Sequence, residues 1–252
     1  MLKTRIIPTL LYKNHGLVKG ISFNSWRRVG TTLPAIKVYN TRQVDELILV
    51  DIAATPEGRA IDFAEIDRVA DECFMPLTVG GGIRSMEDIR GLLRAGADKI
   101  TLNTGALENP ELISEGAKQF GAQCIVVSID VNKNKSGSYE VYSRSGVKPT
   151  GKNPVEWAAQ AARLGAGEIL LTSIDRDGTM SGYDIDLIKS VCDVVNIPVI
   201  ASGGAGTYEH MVEAILRGGA SAVAAASIFH FTQQTPLEAK DYLRHKGINV
   251  RN

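Results

Sequence analysis

The sequence predicts an α/β fold in which eight strand–helix units close into a barrel, and three observations carry the prediction. Apolar, β-rich runs of four to eight residues alternate with amphipathic stretches along the chain, the pattern of repeated βα units around a parallel sheet. The length, 252 residues, suits one barrel of this kind, which uses about 250 residues as a unit, so a single domain over 1–252 is expected. The two halves of the chain also resemble each other.

The expected strands are, in order, "RIIPTLL", "ELILVDI", "PLTVG", "KITLN", "CIVVSID", "EILLTSI", "PVIAS" and "SAVAAAS". Eight parallel strands are the number that closes a TIM (β/α)8 barrel. The stretch "MPLTVGGGIRSMEDIRGLLRAGADKITLNTGAL" lies over "IPVIASGGAGTYEHMVEAILRGGASAVAAASIF", with Pro76 on Pro198 and Gly82 on Gly204, each 122 positions on. After one inserted residue, Asn103 and Thr104 fall on Ala226 and Ser227, and at the half starts Leu11 falls on Asp130. Shared prolines, glycine pairs and loop lengths point to two duplicated half-barrels rather than to generic βα similarity. The longest irregular pieces, "KNHGLVKGISFNSWRRVG" and "NKNKSGSYEVYSRSGVKPTGKN", follow equivalent strands and are read as loops that form candidate lids over one end.

Composition narrows the function. Lys plus Arg and Asp plus Glu each number 28, so the formal charge is zero and no global field favours nucleic acid or an anionic membrane. Cys73, Cys124 and Cys192 lack the spacing of metal or disulfide frameworks and read as buried thiols of a reducing cytoplasm. The N-terminal apolar run is too short for a signal peptide or a spanning helix. His15, His210, His230 and His245 show no metal-ligand spacing, His15 alone being placed near the mouth, and no metal or other cofactor is expected. Trp157 reads as packing on an amphipathic helix.

Active sites of such barrels lie at the C-terminal ends of the strands. The glycine-rich turns "ASGGAG" and "AAASIF" after strands seven and eight make the usual barrel phosphate site, with Gly204 and Ser227. The duplicate, with Gly82, Asn103 and Thr104, makes a second one opposite, which implies a substrate with a phosphate at each end; glycines in tight turns alone are the alternative. Asp130 and Asp177 flank the centre and are the acid/base candidates, unless one only caps a helix or orients a lysine. Lys19, in the first lid, could close over a phosphate, and "SWRR", with Trp26, Arg27 and Arg28, belongs to the same lid or to a solvated loop. At the strand starts Arg5, Glu46, Lys99 and Glu168 would line the barrel bottom, as a structural plug or as a gate.

Over nearly its full length the chain resembles the cyclase subunit of imidazole glycerol phosphate synthase, the HisF family. The resemblance rests on "DELILVDIAA", "PLTVGGGIRS", "RAGADKITLNT", "GAGEILLTSIDRDGTMSGYD", "IPVIASGGAG" and "ASIFHF". It implies a glutaminase subunit, HisH-like, docked on the barrel bottom, whose ammonia passes a charged gate to a phosphorylated substrate at the top. The gate would be Arg5, Glu46, Lys99 and Glu168, with Asp98 facing the glutaminase. The phosphate positions would be Gly82, Asn103, Thr104, Gly178, Gly204 and Ser227, and the catalytic residues Lys19 and Asp130.

One catalytic carboxylate of that family is missing. Where its first strand ends "CLDVKDGRVVKG", this chain has "TLLYKNHGLVKG", so the position is Leu11. Leucine can neither give nor take a proton, and loss of one acid/base partner removes a rate factor of about 10²–10⁴. The chain is more similar to HisF-like paralogues of surface-glycan clusters. These imply a barrel that supplies ammonia, beside a HisH-like glutaminase and an ATP-using amidotransferase, for amidination of a bacterial surface sugar. Two other readings stand beside this one. One is a genuine cyclase of histidine biosynthesis in which Asp51 or Tyr12 replaces the lost aspartate; the other is a non-catalytic scaffold that activates a glutaminase.

Overall fold

A computed structural model describes residues 3–251. Eight parallel strands close into a barrel: β1 (Arg5–Lys13), β4 (Leu47–Asp51), β5 (Leu77–Gly80), β6 (Lys99–Leu102), β7 (Ile125–Lys133), β10 (Glu168–Ser173), β11 (Val199–Ser202) and β12 (Ala222–Ala225). Each pairs with the next, β12 pairs β1, and the β10–β7 ladder completes the ring. All eight expected strands are present in the expected order.

The two segments read as loops are instead antiparallel extensions of the sheet. After β1 come β2 (Gly16–Ile21) and β3 (Asn24–Gly30), with Leu11 opposite Val18 and Lys19 opposite Arg27. After β7 come β8 (Tyr139–Ser143) and β9 (Lys148–Pro149), with Asp130 opposite Tyr142. The first hairpin was hidden because its turns carry no Asn-Gly or Gly-Gly signal. Asn14 and His15, then Ser22 and Phe23, hold positive φ of 47–57° without glycine.

The helices sit outside the ring, and several begin on sequence-encoded caps. Ser85 and Asp88 form a capping box on α3 (Met86–Arg94), and Thr207 accepts from the His210 amide at the start of α8 (Tyr208–Leu216). These are equivalent turns of the two halves. The duplication also recurs in the backbone: Leu47 N–H donates to Pro76 O at 2.9 Å, and Ile169 N–H to Pro198 O at 2.9 Å. The residues opening two short helices, Asn103 before α4 (Thr104–Glu108) and Ala226 before α9 (Ser227–Phe231), share an unusual backbone of φ −113°, ψ −85° and φ −129°, ψ −66°.

Strand alternation separates two cores. Ile7, Ile48, Val126, Leu170, Ile200, Ala222 and Ala224 fill the barrel interior, while the larger core lies between strands and helices and includes buried Trp157. Burying one such large aliphatic side chain contributes about 1.5–3 kcal/mol. The cysteines are all free, and each is half-buried rather than fully buried as expected. Among the described residues no helix is long and apolar enough to cross a membrane.

Candidate functional site

The C-terminal ends of the strands surround a cavity of about 140 Å³. Every position expected to be catalytic or phosphate-binding lines it: Lys19, Asp130, Asp177, Gly82, Asn103, Thr104, Gly178, Gly204 and Ser227. Leu11 is in the same wall. With β1 and β7 opposite in the eight-membered ring, Leu11 and Asp130 face the cavity from opposite sides.

Asp130 is buried, and its Oδ1 accepts from Ser128 Oγ at 3.3 Å. Burial pushes its carboxyl up to about 7; the Ser128 hydrogen bond opposes the shift and the Asp177 charge adds to it. A carboxyl near neutrality can both give and take a proton at cellular pH.

Lys19 is 2% exposed, and its Nζ lies 2.6 Å from Asp177 Oδ2. Burial raises the Asp177 carboxyl and the Lys19 ammonium offsets part of the rise. Asp177 therefore does orient a lysine, and it does so within the cavity wall. Lys19 rides on β2, which is laid across the mouth: the Ser22 amide donates to Asp177 O at 2.8 Å. Gly178 supplies close approach here, since a Cβ on it would lie 2.2 Å from Gly20 O.

The second hairpin mirrors the first. The β2–β3 hairpin crosses to the loop after β10 and to α9, where the Arg27 guanidinium stacks 3.6 Å from the Phe231 ring centroid. The β8–β9 turn crosses to the loop after β4, with Ser145 Oγ donating to Ile52 O at 2.9 Å, and to α4, with Arg144 N–H donating to Thr104 Oγ1 at 2.8 Å. Counting around the ring, each hairpin reaches the fifth and seventh strands beyond its own.

The glycine turns also match. A Cβ on Gly81 would lie 2.1 Å from Asp51 O and one on Gly203 2.6 Å from Ser173 O, so both turns need glycine to lie against the preceding strand end. Their polar groups are used differently. Gly82 N–H donates to Thr55 Oγ1 at 3.2 Å, and the Asn103 side-chain amide donates to Ser128 O at 3.2 Å and Tyr142 O at 3.1 Å. In the other half the Ser227 hydroxyl is buried without a partner among the described residues, as are the cavity-lining hydroxyls of Thr9 and Thr101.

At the barrel bottom the four charges form a closed ring. Arg5 Nη1 lies 2.7 Å from Glu46 Oε2 and 3.0 Å from Glu168 Oε1, and Lys99 Nζ lies 2.9 Å and 3.1 Å from the same atoms. Thr78 Oγ1 donates to Glu46 Oε1 at 2.8 Å. Burial alone would raise the Glu46 carboxyl, but Lys99 and Arg5 outweigh it and hold the carboxyl below the usual carboxylate range. Asp98 is exposed at the rim, its Oδ2 accepting the Leu77 amide at 2.8 Å.

Three expectations need correction. Tyr12 cannot replace a carboxylate at position 11, because alternation turns its side chain out of the barrel into the outer core. Asp51 is already committed: its carboxylate takes both guanidinium nitrogens of Arg59, at 2.7 Å and 3.1 Å, and the amides of Ala53 and Ala54. His15 is not alone near the mouth, since His230 lies near Lys19 and the Thr9 backbone. Burial, then the Lys19 charge, pushes its imidazole down to about 4, against the Thr9 hydrogen bond.

Ser128, Thr55 and Phe23 are cavity residues that the sequence does not mark as such, and Trp26, expected in the lid or in a solvated loop, lines the cavity too. Ser128 was findable, two positions before Asp130 on the same strand face. Thr55, Phe23 and Trp26 depend on how loops fold back, which periodicity does not record. With eight parallel strands, two glycine turns and a carboxyl poised near neutrality in one mouth, the fold and the site agree with the comparison: a family model described as histidine biosynthesis protein matches residues 5–235, which span every barrel strand. The chain thus belongs to the histidine biosynthesis protein family of HisA/HisF-type TIM-barrel enzymes.

Proposed function

We propose that this chain is a HisF-type barrel that takes ammonia from a HisH-like glutaminase on its bottom face. It passes the ammonia through the Arg5–Glu46–Lys99–Glu168 ring toward the mouth, for amidination of a bacterial surface-glycan sugar by an ATP-using amidotransferase. The observation that carries this reading is an uneven pattern: the four charges that the resemblance implies are all present and close into one ring of ion contacts, while Leu11 occupies the cavity wall opposite Asp130. Asp98, exposed beside Lys99, is the rim charge available to the glutaminase. In this reading the cyclase's two-carboxylate chemistry is gone, because neither Asp51 nor Tyr12 can supply the second group.

A second reading, a working cyclase on a phosphorylated substrate, draws on Asp130, whose raised carboxyl shares one cavity with the Lys19–Asp177 pair. Complementation separates the two. A histidine auxotroph lacking its cyclase should not grow on this gene, and growth at a normal rate would overturn the first reading.

A further inference from the structure

The rim of the mouth carries a feature that the cavity does not use. Single exposed apolar side chains are ordinary, but here three belong to one rim: Val147 at 78% exposure, Ile21 at 55% and Phe231 at 39%. Ile21 and Val147 lie at the tips of the two hairpins, and those tips touch, because the Phe23 ring packs against Gly146. Phe231 is joined to the first hairpin through Arg27. The hydrophobic tips therefore form one ridge across the mouth.

Cations border that ridge. Arg27, Arg28, Lys148 and Arg176 are all exposed, and none has an ion-pair partner among the described residues. One exposed carboxylate, Asp175, lies beneath Ser22. The chain as a whole has no net charge, so this excess is local. An apolar centre ringed by unpaired guanidinium groups fits a protein surface with an apolar patch and an acidic border.

We propose that the mouth is the docking face for the ammonia-consuming enzyme, an amidotransferase whose acceptor site is rimmed by acidic residues; this rests on the ammonia-supplying reading above. Position gives the reason. Ammonia that reaches water is protonated to ammonium, which has no lone pair to attack with, so the consumer must cover the exit. The ridge surrounds that exit. The barrel would then carry one partner at each end, with the glutaminase at the charged ring and the amidotransferase on the hairpins.

The test uses the assembled barrel, glutaminase and amidotransferase, with the barrel either wild type or carrying Val147→Asp and Arg28→Glu, two exposed positions outside the cavity. The variant should hydrolyse glutamine within twofold of wild type and release more ammonium to bulk solution. Its glutamine-dependent amidated product should fall at least tenfold, while product from added ammonium salt stays unchanged. Coupled product equal to wild type would overturn the docking face alone. If the wild-type complex hydrolyses glutamine but forms no glutamine-dependent product, the ammonia-supplying reading falls, and the inference with it. A photocrosslinking phenylalanine analogue at position 147 gives a second readout: an adduct with the amidotransferase supports the proposal, and adducts only with the glutaminase or a second copy of this chain contradict it.

Discussion

Leu11 and Asp130 hold the same place in the two halves of the barrel. Each is the residue at which its strand begins to pair with an antiparallel hairpin, Leu11 opposite Val18 and Asp130 opposite Tyr142, and each faces the common cavity. One position offers a proton and the other a hydrocarbon surface. Of these two equivalent strand positions, only Asp130 brings a titratable group to the cavity.

The first consequence is a pH dependence carried by Asp130. Its folded pKa is raised, mainly by burial, to about 7 from 3.8, so the fold holds this proton more tightly than the unfolded chain does. That contribution to stability is complete below the ordinary carboxylate range and is lost as pH rises through about 7. Asp130→Asn should thus have an unfolding free energy, from urea titration, a few kcal/mol above wild type at pH 8, with the difference closing toward pH 4. Parallel stability profiles would contradict the assigned environment.

The Lys19–Asp177 pair should hold the first hairpin down. Lys19→Met leaves Asp177 buried without its cation, a change that typically costs about 3–5 kcal/mol. The lowest-cost relief is opening of the hairpin. Amide exchange across residues 16–30 should accelerate in this variant, and adding Asp177→Asn should recover part of the protection. Unchanged exchange would mean the hairpin is held by its other contacts.

The ring at the bottom should matter for ammonia that comes from glutamine and not for ammonia supplied in solution. Lys99→Met removes two of the four cation contacts to Glu46 and Glu168. In the complex with the glutaminase, the ratio of glutamine-dependent to ammonium-dependent product should change several-fold. A ratio equal to wild type would make the ring a structural plug.

Ser227 offers a test of phosphate binding at the turn after β12 with little structural cost. Its hydroxyl bonds to nothing among the described residues, so Ser227→Ala should leave stability within about 0.5 kcal/mol. Binding of inorganic phosphate, followed by calorimetry, should weaken several-fold. Equal binding would place the phosphate elsewhere.

Much of this was legible in the sequence, for identifiable reasons. Buried parallel strands write themselves as apolar runs, and the duplication wrote the turns twice, so Gly82 and Gly204 could be matched before any coordinates. Arg5, Glu46, Lys99 and Glu168 were found because each opens a strand or stands just before one. The first hairpin was missed because the positive φ at Asn14, His15, Ser22 and Phe23 is not announced by glycine. His230 was underrated because its place beside Lys19 arises from a hairpin reaching across the ring. Asp51 looked available because its partner, Arg59, sits in the following loop.

The most direct measurement is cyclase turnover with ammonium salt, on the bisphosphate imine-ribulose substrate, of wild type beside Leu11→Asp. The account predicts no product above background for wild type and an increase of about 10²–10⁴ on restoring the carboxylate opposite Asp130. Efficient turnover by wild type, unchanged or reduced in Leu11→Asp, would contradict it.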